Sequence, residues 1–197
     1  MNPRPSSSNR PWLTGGIIFA LCVVNILLVK QNLELRGQLA ALTQNKIDAA
    51  GNSLKRGDVV PRVSGQDIAG RPYRLDYKED KRQQMLLFMS PSCSYCVQQA
   101  SLWRDLLDSV DTTRVNVLGV VGDREDSRAV TAHAEELGYF KTKVALPILI
   151  FDQESLSRYK LTATPTTLLI SANGTVEHAW VGKWDQSKTS EVAMALK

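Results

Sequence analysis

The chain has 197 residues, a formal net charge of +4 and an isoelectric point near 9.0. That length suits one ordinary domain plus an appendage and excludes two full domains. With 43% apolar and 22% charged residues it is not a disordered chain, and its Lys and Arg are scattered rather than striped among aromatics, so nucleic acid is not an expected partner.

Residues 1–11 (MNPRPSSSNRP) form a polar tail carrying Arg4 and Arg10. Trp12 to Val29 (WLTGGIIFALCVVNILLV) then runs eighteen residues without a charge. As a helix this segment spans about 27 Å, close to the hydrocarbon thickness of a bilayer. The expectation is an uncleaved transmembrane signal-anchor over 12–29. A cleaved signal peptide is the rival, although no small-x-small site follows Leu28-Val29-Lys30 and the run exceeds a usual apolar core of such peptides. A buried core helix is the third reading. Flanking charge favours the tail on the cytoplasmic side: Arg4, Arg10 and the amino terminus precede the span, while Lys30 and Arg36, opposed by Glu34, follow it. Cys22 then lies in lipid as a small apolar side chain with no redox role.

Residues 30–54 read as a helical juxtamembrane spacer and linker. Leu28, Leu35 and Leu42 recur every seven residues with Leu39 between them, and a weak dimerisation seam is the alternative to a plain spacer. Gly51-Asn52-Ser53 breaks the helix, and the main domain is expected over 55–197.

From Lys55 onward strand-like and helix-like stretches alternate, the pattern of an α/β layer fold. Residues 58–75, with turns at Gly65 and Gly70, read as an N-terminal β-hairpin. Met85–Met89 is a continuous apolar run suited to a strand buried on both faces. Ser90-Pro91-Ser92 ends it, and a helix follows from Cys93 or Ser94 to about Leu107. Val115–Val121 is a second buried strand, and a helix from about Ser127 to Leu137 stops at Gly138. Pro147–Phe151 is extended, Gln153–Tyr159 a turn or two of helix, and Thr166–Ile170 a strand. Asn173-Gly174 signals a hairpin turn into Thr175–Val181, and Gln186–Leu196 is helix-like.

The chemistry centres on Cys93 and Cys96, a C-x-x-C pair placed where a buried strand hands over to a helix. The first sulfur meets the unpaired N–H groups and positive dipole end of the helix, which favour thiolate, the nucleophile of disulfide exchange. Cys93 is therefore the expected nucleophile. Cys96, nearly one helical turn on, can reach the same sulfur and is the expected resolving cysteine. Three other readings compete. A zinc site needs two more ligands, but His133 and His178 stand alone, so no metal is expected. Haem attachment needs a His where Val97 stands. An inert structural disulfide gains little from so short a loop. Downstream, Ala163-Thr164-Pro165-Thr166-Thr167 precedes an apolar strand, where a proline marks a fixed turn or a cis bond. Trp103 and Trp180 read as packing residues and His178 as a strand-surface residue. Tyr95, between the cysteines, is expected to be exposed, either touching substrate or simply solvated.

Together these residues resemble the thioredoxin superfamily, and within it the TlpA/ResA-like membrane-anchored thiol–disulfide oxidoreductases. The resemblance runs from about Gly57 to the C-terminus. It rests on Gly57-Asp58-Val59-Val60-Pro61, Ile68–Leu75, Leu86-Leu87-Phe88 leading to Ser92-Cys93-Ser94-Tyr95-Cys96, Tyr159–Thr167 and Ser171-Ala172-Asn173-Gly174. It implies a thioredoxin-like fold with a central helix–strand insert within residues 127–151. It also implies a cis Pro165 facing the disulfide, with Thr164 offering backbone groups to an extended substrate peptide. The implied protein sits single-pass in a bacterial inner membrane with its domain facing the periplasm or exterior. It exchanges disulfides with exported proteins, as a reductant fed by a membrane electron donor, for example in cytochrome c maturation. It needs no cofactor beyond its own cysteine pair. The alternatives are an oxidant or isomerase, a dedicated maturation factor of the methylamine dehydrogenase type, or a redox-inactive assembly module. The sequence departs from the family pattern at Ser92 and Met89, where aromatic residues are usual. Leu87 and Gln99 replace acidic residues, so no proton acceptor for Cys96 is evident.

Overall fold

The structure, a computed structural model, describes residues 21, 23–25, 27–32, 34, 53–122 and 124–196. The chain divides into two compact units, residues 1–48 and 49–197. In the first, the described residues between 21 and 34 are helical, and Leu21, Val23, Val24, Leu27, Leu28 and Val29 are exposed. Among the described residues no helix is long and apolar enough to cross a membrane. Most of the expected span 12–29, the tail 1–11 and spacer residues 35–52 lie outside the described residues.

The second unit is built on a seven-stranded mixed sheet. Its strands are β1 (Val63–Asp67), β2 (Pro72–Leu75), β3 (Gln83–Phe88), β4 (Val115–Gly122), β5 (Ile148–Phe151), β6 (Thr166–Ile170) and β7 (Val176–Val181), in the order β2-β1-β5-β4-β3-β6-β7. Helix α1 (Ser94–Ser109) connects the parallel pair β3 and β4, and α2 (Ser127–Glu136) connects the parallel pair β4 and β5. Short α3 (Gln153–Arg158) follows β5, and α4 (Gln186–Ala195) closes the chain. The N-terminal hairpin is present, with β1 and β2 antiparallel from Val63↔Leu75 to Gln66↔Pro72. The helix and strand expected within residues 127–151 are α2 and β5.

One glycine is placed differently from the sequence expectation. Gly65 makes no turn; it lies inside β1 opposite Phe151 of β5, where an added Cβ would sit 2.4 Å from the Ile150 carbonyl oxygen. Only a residue without a side chain lets the two backbones approach there. The hairpin turn is made at Gly70, φ +78°, and Asp67 Oδ1 accepts the N–H groups of Ala69 and Arg71 around it.

The central strands bury both faces, as their unbroken apolar runs require. Met85, Leu87, Val117, Ile148, Ile150 and Leu169 pack on one face with Trp103, Leu107, Val130, Ala134 and Val192 from α1, α2 and α4. Leu86, Phe88, Leu118, Val120, Leu149 and Leu168 pack on the other with Leu54, Val60, Leu75, Tyr77 and Tyr159. Three helices start on an aspartate: Asp126, Asp152 and Asp185 accept first-turn N–H groups, each cap contributing about 1 kcal/mol. Helix α1 is the exception, because its cap is a cysteine.

Candidate active site

β3 ends in the middle of the sheet. Met89 N–H still bonds Val120 O at 2.9 Å, and Ser90-Pro91-Ser92 then turns the chain into α1. Cys93 is the N-cap, with extended backbone (φ −89°, ψ 103°), and its sulfur accepts the Cys96 N–H at 3.2 Å. A sulfur thus takes the place usually held by a Ser or Asp oxygen, answering one of the helix's unpaired donors. Antiparallel pairing of Phe88 with Thr166 brings the residues before β6 beside those after β3. The Thr164–Pro165 peptide is cis, and the Cys93 thiol donates to the Thr164 carbonyl at 3.3 Å. Gly182 N–H donates to Pro165 O at 2.8 Å and ties this segment to the end of β7.

The structure therefore brings Cys93, Cys96, Thr164 and Pro165 together. Both cysteines are unbridged; Cys93 is half-buried and Cys96 is only 1% exposed. Tyr95 is 59% exposed, so it is available at the surface rather than packed.

The two sulfurs differ in acidity. Partial burial works against the Cys93 thiolate, but hydrogen bonding from the Cys96 thiol, the Thr164 side chain and the N–H groups of Cys96 and Tyr95 outweighs it, and the pKa falls below the ordinary thiol value. Burial pushes the Cys96 thiol up to about 12, with hydrogen bonding to Cys93 adding to the effect and the Ser90 backbone opposing it. Chemically, this is a dithiol with one accessible, acidic sulfur and one sheltered, weakly acidic sulfur.

Leu87 and Gln99 are both fully buried. Gln99 Oε1 accepts the Trp184 N–H at 2.7 Å, which fastens α1 to the loop before α4. Trp103 and Trp180 are core residues. His178 stacks on Trp180 at 5.0 Å and lies 3.5 Å from Glu191, away from the sulfur pair's hydrogen-bond partners. Among the described residues no three His, Cys, Asp or Glu side chains are grouped to hold a metal.

Glu125 went unread in the sequence, and Ser90 was read only as part of the segment that ends β3. Ser90 Oγ donates to Glu125 Oε1 at 2.6 Å and lies 2.8 Å from Ser92 Oγ. Glu125 follows β4, and only the parallel pairing of β3 with β4 brings it beside Ser90. No local motif announces it.

Residues 56–179 match the AhpC/TSA family. The chain belongs to that family. Among curated proteins none matches it. Its AhpC/TSA domain is similar in fold to solved thioredoxin-like proteins. One is the thioredoxin domain of a thiol–disulfide oxidoreductase from Bacteroides vulgatus, 19% identical, TM-score 0.60, covering 74% of this chain and 100% of that one. Another is a thiol:disulfide interchange protein from a Bacteroides species, 18% identical, TM-score 0.57, covering 73% and 91%. A third is a secreted Mycobacterium tuberculosis disulfide oxidoreductase homologous to Escherichia coli DsbE, 18% identical, TM-score 0.53, covering 68% and 95%. The α/β thioredoxin-like fold read from the sequence is thus the fold of this chain.

Proposed function

We propose that this AhpC/TSA-family chain is a membrane-anchored thiol–disulfide oxidoreductase that acts on exported proteins, Cys93 attacking and Cys96 resolving. The observation that carries the reading is the Cys93 environment: a helix-capping sulfur, half-exposed, beside Thr164 and cis Pro165, with its partner thiol sheltered beneath. Cys93 thiolate attacks a client disulfide and forms a mixed disulfide as the client's other sulfur leaves. Cys96 then loses its proton and attacks Cys93, closing the intramolecular disulfide and releasing the client dithiol. The electrons have passed to the client, and a membrane donor restores the pair. The reductant direction, and cytochrome c maturation as its setting, follow from the resemblance to the TlpA/ResA-like group. Thr164 and Pro165 supply the edge on which an extended client segment lies, and Tyr95 its exposed flank.

The anchor rests on the uncharged run Trp12–Val29. Within it, the described apolar side chains are exposed, and Asn25 Nδ2 donates to Leu21 O at 2.8 Å, so its one amide is answered within the helix. Alkaline extraction of membranes should leave the chain in the pellet; release into the supernatant would remove the anchor.

Trapping tests the chemistry. Cys96→Ala should leave clients covalently attached through Cys93, and Cys93→Ala should trap none. The reverse pattern would overturn the assignment of attacker and resolver.

A further inference from the structure

We propose that Glu125 is a positioning residue of the exchange site, acting through Ser90 to hold the β3–α1 turn on which both cysteines depend. This rests on the dithiol reading above and names a residue that the C-x-x-C motif does not contain.

The case begins with the turn itself. Ser90 C=O accepts the Cys93 N–H at 3.1 Å, and the Ser90 backbone opposes the burial that raises the Cys96 pKa. The position of Ser90 therefore bears on both cysteines. What fixes Ser90 is its side chain. A hydroxyl has one proton to give. Ser90 gives its proton to Glu125 Oε1 at 2.6 Å, a length typical of a charge-assisted bond. Its oxygen is then left to receive the Ser92 hydroxyl at 2.8 Å and the Ser92 N–H at 3.3 Å. The chain of donors runs Ser92 to Ser90 to Glu125, and it ends on the loop between β4 and α2, 35 residues away from Ser90.

The departures at the cysteine turn acquire a reason. With Ser92 before the first cysteine, no bulky aromatic packs the turn in place. The Ser92–Ser90–Glu125 chain supplies that fixation with hydrogen bonds. Leu87 and Gln99, both fully buried, bring no carboxylate to Cys96, so the placement of the turn at Ser90 matters more to the resolving step.

The test measures resolution directly. The mixed disulfide of Cys93 with a small aromatic thiol is formed in the full chain, and release of the thiol is followed across pH in wild type, Ser90→Ala, Glu125→Ala, Glu125→Gln and the Ser90/Glu125 double alanine variant. Each single alanine variant should slow release at neutral pH by about two- to tenfold and move its pH profile upward, and the double variant should be no slower than the slower single, as expected for two members of one chain. Glu125→Gln keeps an acceptor for Ser90 and should recover most of the rate. Additive losses, an unmoved pH profile, or Glu125→Gln as slow as Glu125→Ala would overturn the positioning role. If wild type itself releases no thiol, the dithiol reading fails instead.

Discussion

The unequal acidity of the two sulfurs leads to a rate difference that alkylation can read. At neutral pH an ordinary thiol with a pKa of about 8.5 is roughly 3% ionised. Cys96, pushed up to about 12 by burial, has some three thousand times less thiolate than that. A more basic thiolate is intrinsically more nucleophilic, and a Brønsted slope of about 0.45 returns roughly a factor of forty. Cys96 should therefore react roughly a hundredfold more slowly than an exposed ordinary thiol before its 1% exposure slows it further. Cys93, lowered and half-exposed, should react at least as fast as such a thiol.

The assay is quenched iodoacetamide labelling of the reduced full chain between pH 5 and 10, with each cysteine followed by peptide mass. Two separated phases are expected, Cys93 first, with its midpoint below the ordinary thiol range. Equal rates, or Cys96 labelled first, would refute the reasoning. Cys93→Ala supplies a second arm. Burial is the largest cause of the Cys96 shift and survives the substitution, so Cys96 should remain slow; recovery of an ordinary rate would assign the shift to the neighbouring sulfur instead.

Elsewhere, Gly65→Ala forces a Cβ to within 2.4 Å of the Ile150 carbonyl oxygen and should destabilise the domain by about 1–3 kcal/mol or more in chemical denaturation. Gln99→Ala removes the acceptor of the Trp184 N–H from a fully buried position and should cost about 2–4 kcal/mol by the same measurement. Asp80, paired with Arg82 through bonds of 2.9 and 2.7 Å, is held at about 2. Its folded pKa lies below the unfolded value of about 3.9, so its stabilisation is present above that value and lost as pH falls toward 2. Asp80→Asn should flatten stability over that window. Lys160 has φ +46° just past α3, and Lys160→Gly should raise stability by up to about 1 kcal/mol, read as a shift in the denaturation midpoint.

Much of this architecture was legible because its causes are local. Met85–Met89 and Val115–Val121 announce doubly buried strands by unbroken apolar runs, and both lie mid-sheet. Gly138 and Gly174 mark ends and turns by a backbone that only glycine adopts freely, at φ +76° and +84°. The place of Cys93 and Cys96 at a helix start was legible because a strand end and the helix that follows it are local features. Gly65 misled for a physical reason: a glycine demanded by a neighbouring strand's approach looks the same in sequence as one demanded by a turn.

What sequence could not deliver is pairing across the sheet. Glu125 stands 35 residues from Ser90, and Trp184 stands 85 from Gln99. Nothing in a window around the cysteines contains either partner. The consequence for the site is substantive. The residues missing from the usual pattern, an aromatic before Cys93 and an acid beneath Cys96, invite the inference that the site is poorly supported. The structure instead shows different supports: the Gln99 amide fastened to the Trp184 backbone, and a hydroxyl chain ending on Glu125. A motif defines which atoms react, whereas strand order determines which side chains hold them. Here the second set was replaced while the first kept its spacing, so the departures at Ser92 and Gln99 are better read as an alternative fixation of the same turn and helix than as loss of function.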